Sequence, residues 1–153
     1  MIKPNEIMDA LCAEIKSLFP SENIYQNFVP KGFSRPSNLV ELSGVKLAEI
    51  KNGSIRLLYT YKIRDFVPLD DHANSDTQLL DLRTLTIVAW IFGKGYLKVA
   101  DRAMHVVSVD TEHNMDYTVT TAVLDISFDR SEFAPEQTAA LMEQLNLKEA
   151  MQE

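Results

Sequence analysis

The 153-residue chain carries 15 Lys and Arg against 22 Asp and Glu, a formal net charge of −7, and is 46% hydrophobic and 24% charged. A chain of this length makes one domain and buries roughly two-thirds of its unfolded surface without help from metal or disulfides. No apolar run approaches the roughly 20 residues that span a bilayer, and the single cysteine, Cys12, excludes an internal disulfide and a paired-cysteine zinc motif.

The chain opens with MIKPNEIMDALCAEIKSLF, in which Ile7, Leu11, Ile15 and Leu18 repeat at the spacing of one helix face and Pro4 suits the first helical position. Glu6, Asp9 and Glu14 interrupt the apolar pattern and no small-residue cleavage site follows, so the segment reads as a helix and not a secretory leader. Cys12 falls beside Leu11 in that pattern and reads as a small buried hydrophobe in a reduced, cytoplasmic protein. Pro20 and Ser21 end the helix. NIYQNFV is a short strand, and NLVELSGVKLAEI resumes extended structure before the hairpin signal Asn52-Gly53. Ile55, Leu57, Tyr59, Tyr61 and Ile63 then alternate with Arg56, Leu58, Thr60, Lys62 and Arg64, which predicts a half-buried antiparallel strand with three cations facing outward.

After Pro68 an acidic loop, LDDHANSD, leads to a helix over DTQLLDLRTLTIVAWIF, with Ser75 as its expected N-cap and Asp76 at the positive end of its dipole. The polar face fades as Ile87 to Phe92 become continuous, so this helix is expected to cover the sheet, and Gly93 or Gly95 ends it. YLKV, AMHVVSVD and DYTVTTAVLDISF read as further strands, separated by Asp101-Arg102 and by a polar turn, DTEHNM. Pro135 opens a last amphipathic helix using Leu141, Met142 and Leu145, within a C-terminal stretch from 132 to 153 that reads as peripheral. The order predicts an α+β fold over residues 1–153: a two-layer sandwich, mostly antiparallel, with helices packed on one face.

Catalytic chemistry has little to draw on. Asp70, Asp71, His72 and Asp76 crowd together, yet they lack the offsets, central glycine and terminal glutamate of a calcium loop, and a solvated loop before a helix explains them. His105 and His113 have no zinc-helix spacing, and no nucleophile elbow or phosphate-binding glycine loop is present. No cofactor and no metal are expected. Charge is uneven: residues 1–67 hold nine cations and seven anions, while residues 68–153 hold six and fifteen. Such acidity gives no counterion-release drive for a phosphate backbone, so no sequence-specific nucleic acid and no membrane are expected as partners.

One loop is richer than a turn requires. In NFVPKGFSRPSNLVEL, Pro30 and Pro36 stiffen the backbone, Gly32 permits an unusual angle, and Phe28, Lys31, Phe33 and Arg35 supply aromatics and cations of the kind enriched at interfaces. Two readings stand: a long hairpin whose aromatics fold back on their own core, or a hairpin arm reaching another subunit.

Three stretches carry a resemblance: YQNFVPKGFSRPSNLVEL, DFVPLDDHANSDTQLLDLR, and IFGKGYLKVADRA followed by MDYTVTTAVLDISF. Together they cover most of residues 1–130, and in them the chain resembles the tail terminator (tail completion) proteins of phages and prophages of Gram-positive bacteria. The resemblance implies a structural, non-enzymatic protomer that forms a homo-oligomeric, hexameric ring, caps the head-proximal end of the tail tube and faces the head connector. It implies assembly in the host cytoplasm and a final place in the virion tail. On that reading Phe28, Lys31, Phe33, Arg35 and Pro36 form an intersubunit arm, and Asp70, Asp71 and Asp76 belong to an acidic lumen or interface loop. The alternatives are another neck or head-to-tail joining protein, or a small cytoplasmic metal-binding or enzymatic domain built on the Asp70–Asp76 loop.

Overall fold

The structure, a computed structural model, describes residues 2–132. The C-terminal helix expected from Pro135 lies outside the described residues. Within them the chain folds as α1 (Pro4–Leu18), β1 (Asn23–Gln26), β2 (Ser37–Lys51), β3 (Ser54–Phe66), α2 (Thr77–Lys94), β4 (Tyr96–Val99), β5 (Arg102–His113) and β6 (Thr118–Asp129), closing on a 3-10 turn at Arg130–Glu132. The six strands form one sheet in the order β1-β2-β3-β6-β5-β4. All neighbours pair antiparallel except β1 and β2. This is the mostly antiparallel α+β sandwich that the sequence predicts.

The alternation in β3 organises the core. Tyr59, Tyr61 and Ile63 are buried, and they face Leu124, Ala122 and Thr120 across the β3–β6 register. Strand β2 adds Val40 to that face, while α1 lays Ile7, Leu11 and Ile15 and α2 lays Ile87 and Ile91 against it, so both helices share one core on one side of the sheet. Cys12 is buried in that core as expected, and burial pushes its thiol up to about 11. Its neighbour Gln26 donates from Nε2 to Sγ at 3.6 Å.

Local chemistry sets the ends of the elements. Asn52 and Gly53 both take positive φ, 43° and 83°, which is the turn geometry that joins two strands by two residues. Gly95 caps α2 in the left-handed conformation, and its N–H donates to the Ile91 carbonyl. The N-cap of α2 differs from expectation. Asp76 occupies it, its carboxylate accepting from the N–H groups of Gln78 and Leu79, each at 3.1 Å. Ser75 instead donates to the Asp116 carbonyl and is held in a bridge with Leu69, two residues before the helix begins.

One boundary and one connection also differ. Strand β5 runs on through His113 and pairs with β6 as far as Thr118, so the turn that DTEHNM was expected to form shrinks to the residues after His113. The aromatic-rich loop joins β1 to β2, which are parallel, so it is a crossover and not a hairpin.

Candidate interaction surfaces

The crossover, residues 27–36, folds back on its own chain. Tyr25, Phe33 and Phe66 form an aromatic row: Phe33 stands 4.8 Å from Phe66 and 6.3 Å, edge-on, from Tyr25. The Arg35 guanidinium lies 5.0 Å from the Phe33 centroid and 5.3 Å from that of Phe66, and its Nη1 donates to the Val67 carbonyl at 3.1 Å. The Tyr25 hydroxyl accepts from the Ser34 N–H. Phe33, Arg35 and Pro36 are thus half-buried within the protomer, whereas Phe28, 74% exposed, and Lys31 face solvent. Of the five expected arm residues, only these two are presented outward.

The acidic loop is spent on its own turn. Asp70 accepts at Oδ1 from the N–H groups of His72 and Asn74, both at 2.8 Å, and its own N–H donates to the Asn74 carbonyl. Asp76 caps α2, and Asp71 is exposed. Among the described residues no group of three or more His, Cys, Asp or Glu side chains converges as a metal site would require. Likewise, no described helix is long and apolar enough to cross a membrane. His113 Nδ1 sits 3.1 Å from Asp81, but both side chains are more than half exposed, so the pair is a solvated surface contact and not a shielded acid–base dyad.

The densest polar cluster joins the helix layer to the sheet. Arg83, in the middle of α2, turns inward: Nε donates to both oxygens of Asp65 at 3.0 Å, and Nη1 and Nη2 fork onto the Glu22 carboxylate at 2.7 and 2.5 Å. Its guanidinium also lies 4.0 Å from the Phe19 ring centroid. Burial pushes the Asp65 carboxyl up to about 6, with Arg83 pulling the other way. Beside it, the Thr84 and Thr118 hydroxyls hydrogen-bond at 2.6 Å. The cluster locks α2 to β3 and to the α1–β1 connection, and its groups are consumed by one another.

Because Arg83 and Thr84 occupy the buried side of α2, apolar residues appear on the other side. Leu82, Leu85 and Phe92 are 62%, 63% and 61% exposed, a stripe along the outer face. A second open apolar strip lies at the far edge of the sheet. Strand β1 covers β2 only from Ser37 to Val40, and beyond it Val45, Leu47 and Ile50 are 48%, 51% and 58% exposed. Neither surface stands out in a simple periodicity reading. The signal for the first was present in the sequence, since α2 carries apolar residues at 82, 85 and 92 as well as at 80, 87 and 91, which is two faces and not one.

Two of the three outward cations of β3 are matched in place. Arg56 Nη2 is 2.5 Å from Asp125 and Arg64 Nη2 is 3.1 Å from Glu41, so the uncovered sheet face is a mixed-charge surface. Of the fifteen acids in the second half, four fall beyond Glu132. Compared with known proteins, the chain matches no family model and no curated protein.

Proposed function

We propose that the protein is a structural subunit that assembles with copies of itself into a ring and terminates a phage or prophage tail tube, joining it to the head connector. The observation that carries the assembly reading is α2: it is buried on one side by the core, yet exposes Leu82, Leu85 and Phe92 on the other. Fully burying a large apolar side chain is worth about 1.5–3 kcal/mol, so three side chains more than half exposed leave roughly 3–5 kcal/mol for a partner to recover. Monomeric proteins seldom leave such a stripe uncovered. The sequence resemblance supplies the identity of the assembly: a hexameric ring, with the tube protein and the connector as further partners.

The tightly self-bonded polar groups agree with a structural role. Asp70, Asp76, Asp65, Glu22 and Arg83 serve turns, a helix cap and layer docking. The test is direct imaging of the purified protein, alone and mixed with tail-tube subunits from the same source. Rings with sixfold averages in either sample support the proposal. A protein that stays monomeric in both overturns it.

A further inference from the structure

We infer that the uncovered strip of β2 is the seat of this chain's own C-terminal segment, residues 133–153, whose apolar face closes the core over the sheet edge. The strip is the open end of two core rows. Across the register, Ile50 follows Ile55 and Phe128, and Leu47 follows Leu57 and Ile126, so both rows run from β6 through β3 to β2 on the helix side of the sheet. Exposure climbs along them: Phe128 is 1% exposed and Ile126 4%, Ile55 and Leu57 are half-buried, and Ile50 and Leu47 stand at 58% and 51%. The described helix layer stops short of the edge. The hairpin's charged residues, Lys46, Glu49, Lys51 and Arg56, alternate onto the other face, where Arg56 meets Asp125, so apolar contact and not charge selects what covers the strip.

Where the chain leaves the sheet identifies the occupant. Asp129, the last residue of β6, pairs with Ser54 beside the hairpin turn, and the Arg130 N–H donates to the Gly53 carbonyl. The 3-10 turn that follows ends at Glu132, which lies 3.7 Å from Arg102 and borders Ile2 and Glu6 at the start of α1. The segment therefore sets out on the helix side of the sheet, at the end where Ile50 lies. With strands about 4.8 Å apart, β2 is two spacings, roughly 10 Å, from β6, which is about the reach of three extended residues. From Pro135 the sequence predicts an amphipathic helix: Leu141, Met142 and Leu145 share one face, and Glu136 and Glu143 fall opposite. A helix over 135–147 measures about 20 Å and the strip from Ile50 back to Val45 roughly 15 Å, so the lengths match. A second copy has no such tether. A segment joined close to the strip competes for it at an effective concentration on the order of millimolar.

Thiol labelling of the full chain tests the cover. In Leu47→Cys the new thiol is expected to react with a small maleimide about tenfold or more slowly than in the same chain also carrying Leu141→Asp and Leu145→Asp. Cys12 is buried in the core, and its own slow labelling in both proteins reports that the fold is intact. Equal rates at position 47 overturn the inference. Protection that disappears on dilution overturns it too, because the strip is then covered by a second copy. If the double change speeds Cys12 as well, Leu145→Ala replaces it, with an intermediate rate expected at position 47 and an unchanged rate refuting the seat.

Cross-linking gives the second arm. Leu47→Cys with Leu145→Cys, treated with a short bis-maleimide, is expected to give an internally linked monomer of faster gel mobility, whereas Leu47→Cys with Glu143→Cys, on the opposite face of the helix, is expected to link far less. Covalent dimer as the main product, or equal linking from positions 143 and 145, contradicts docking through the apolar face. Neither arm needs a ring to form, and the ring reading rests on α2, so each stands or falls separately.

Discussion

Replacing Arg83 by Met removes one guanidinium and strands two carboxylates. The side chain is 8% exposed and its partners Asp65 and Glu22 are 1% and 13% exposed, so the cluster is shielded from water on all three sides. Removing one partner of such a buried ion pair costs about 3–5 kcal/mol, because the remaining charge is left uncompensated. The loss should depend on pH. Asp65 already titrates at about 6 in the folded protein, pushed up by burial, against roughly 3.9 in an unfolded chain. A raised carboxyl binds its proton more tightly when folded, so the stability it contributes is present at low pH and lost as pH rises through the folded value. Without Arg83 the pull downward disappears and Asp65 titrates higher still. The gap between variant and wild type should therefore widen from pH 6 to pH 8 and narrow toward pH 5, where Asp65 is neutral. Urea unfolding of both proteins at pH 5, 6, 7 and 8 reads this out. A loss under about 1 kcal/mol, or one constant across that range, refutes the reasoning.

Three further outcomes follow from the packing. Ile63→Ala should cost about 2–5 kcal/mol in denaturant unfolding and Lys62→Ala about 0.5 kcal/mol or less, and equal losses would mean that the faces of β3 are misassigned. Phe33→Ala should destabilise the protomer by roughly 1–2 kcal/mol through loss of its contacts with Phe66 and Arg35, while Phe28→Ala should leave the melting temperature nearly unchanged; the reverse order would return Phe33 to an intersubunit role. Gly95→Ala should cost about 1–2 kcal/mol from backbone strain alone, since φ is +72° and no atom lies within 4 Å of an added Cβ, so a neutral substitution would mean that the cap is not left-handed in solution.

What could be read from the sequence tracks how local its cause is. The Asn52-Gly53 turn, the alternation of β3 and the stripe of α1 each rest on residues within one element, and each is present as expected. The parallel pairing of β1 with β2 depends on where the chain returns after ten intervening residues, and no periodicity in four residues specifies it. The role of Arg83 was equally hidden. It sits in LLDLRTLTIV as an ordinary charged helix residue, and only the approach of Asp65 from β3 and Glu22 from the α1–β1 connection turns it inward. Once it is inward, Leu82 and Leu85 are forced outward. The aromatic crossover shows the same limit from the other side: its composition was visible, but the aromatic row with Tyr25 and Phe66 that absorbs Phe33 is a tertiary fact.

The claim that the protein ends a tail tube is tested most directly by locating it on assembled tails. Tails are assembled with a copy carrying an exposed tag, decorated with a tag-specific label, and imaged by electron microscopy. The account predicts one ring of label at the head-proximal end of each tube, and tubes of unregulated length when the protein is left out. Label spread along the tube, label at the distal tip, or tubes of normal length without the protein would contradict it.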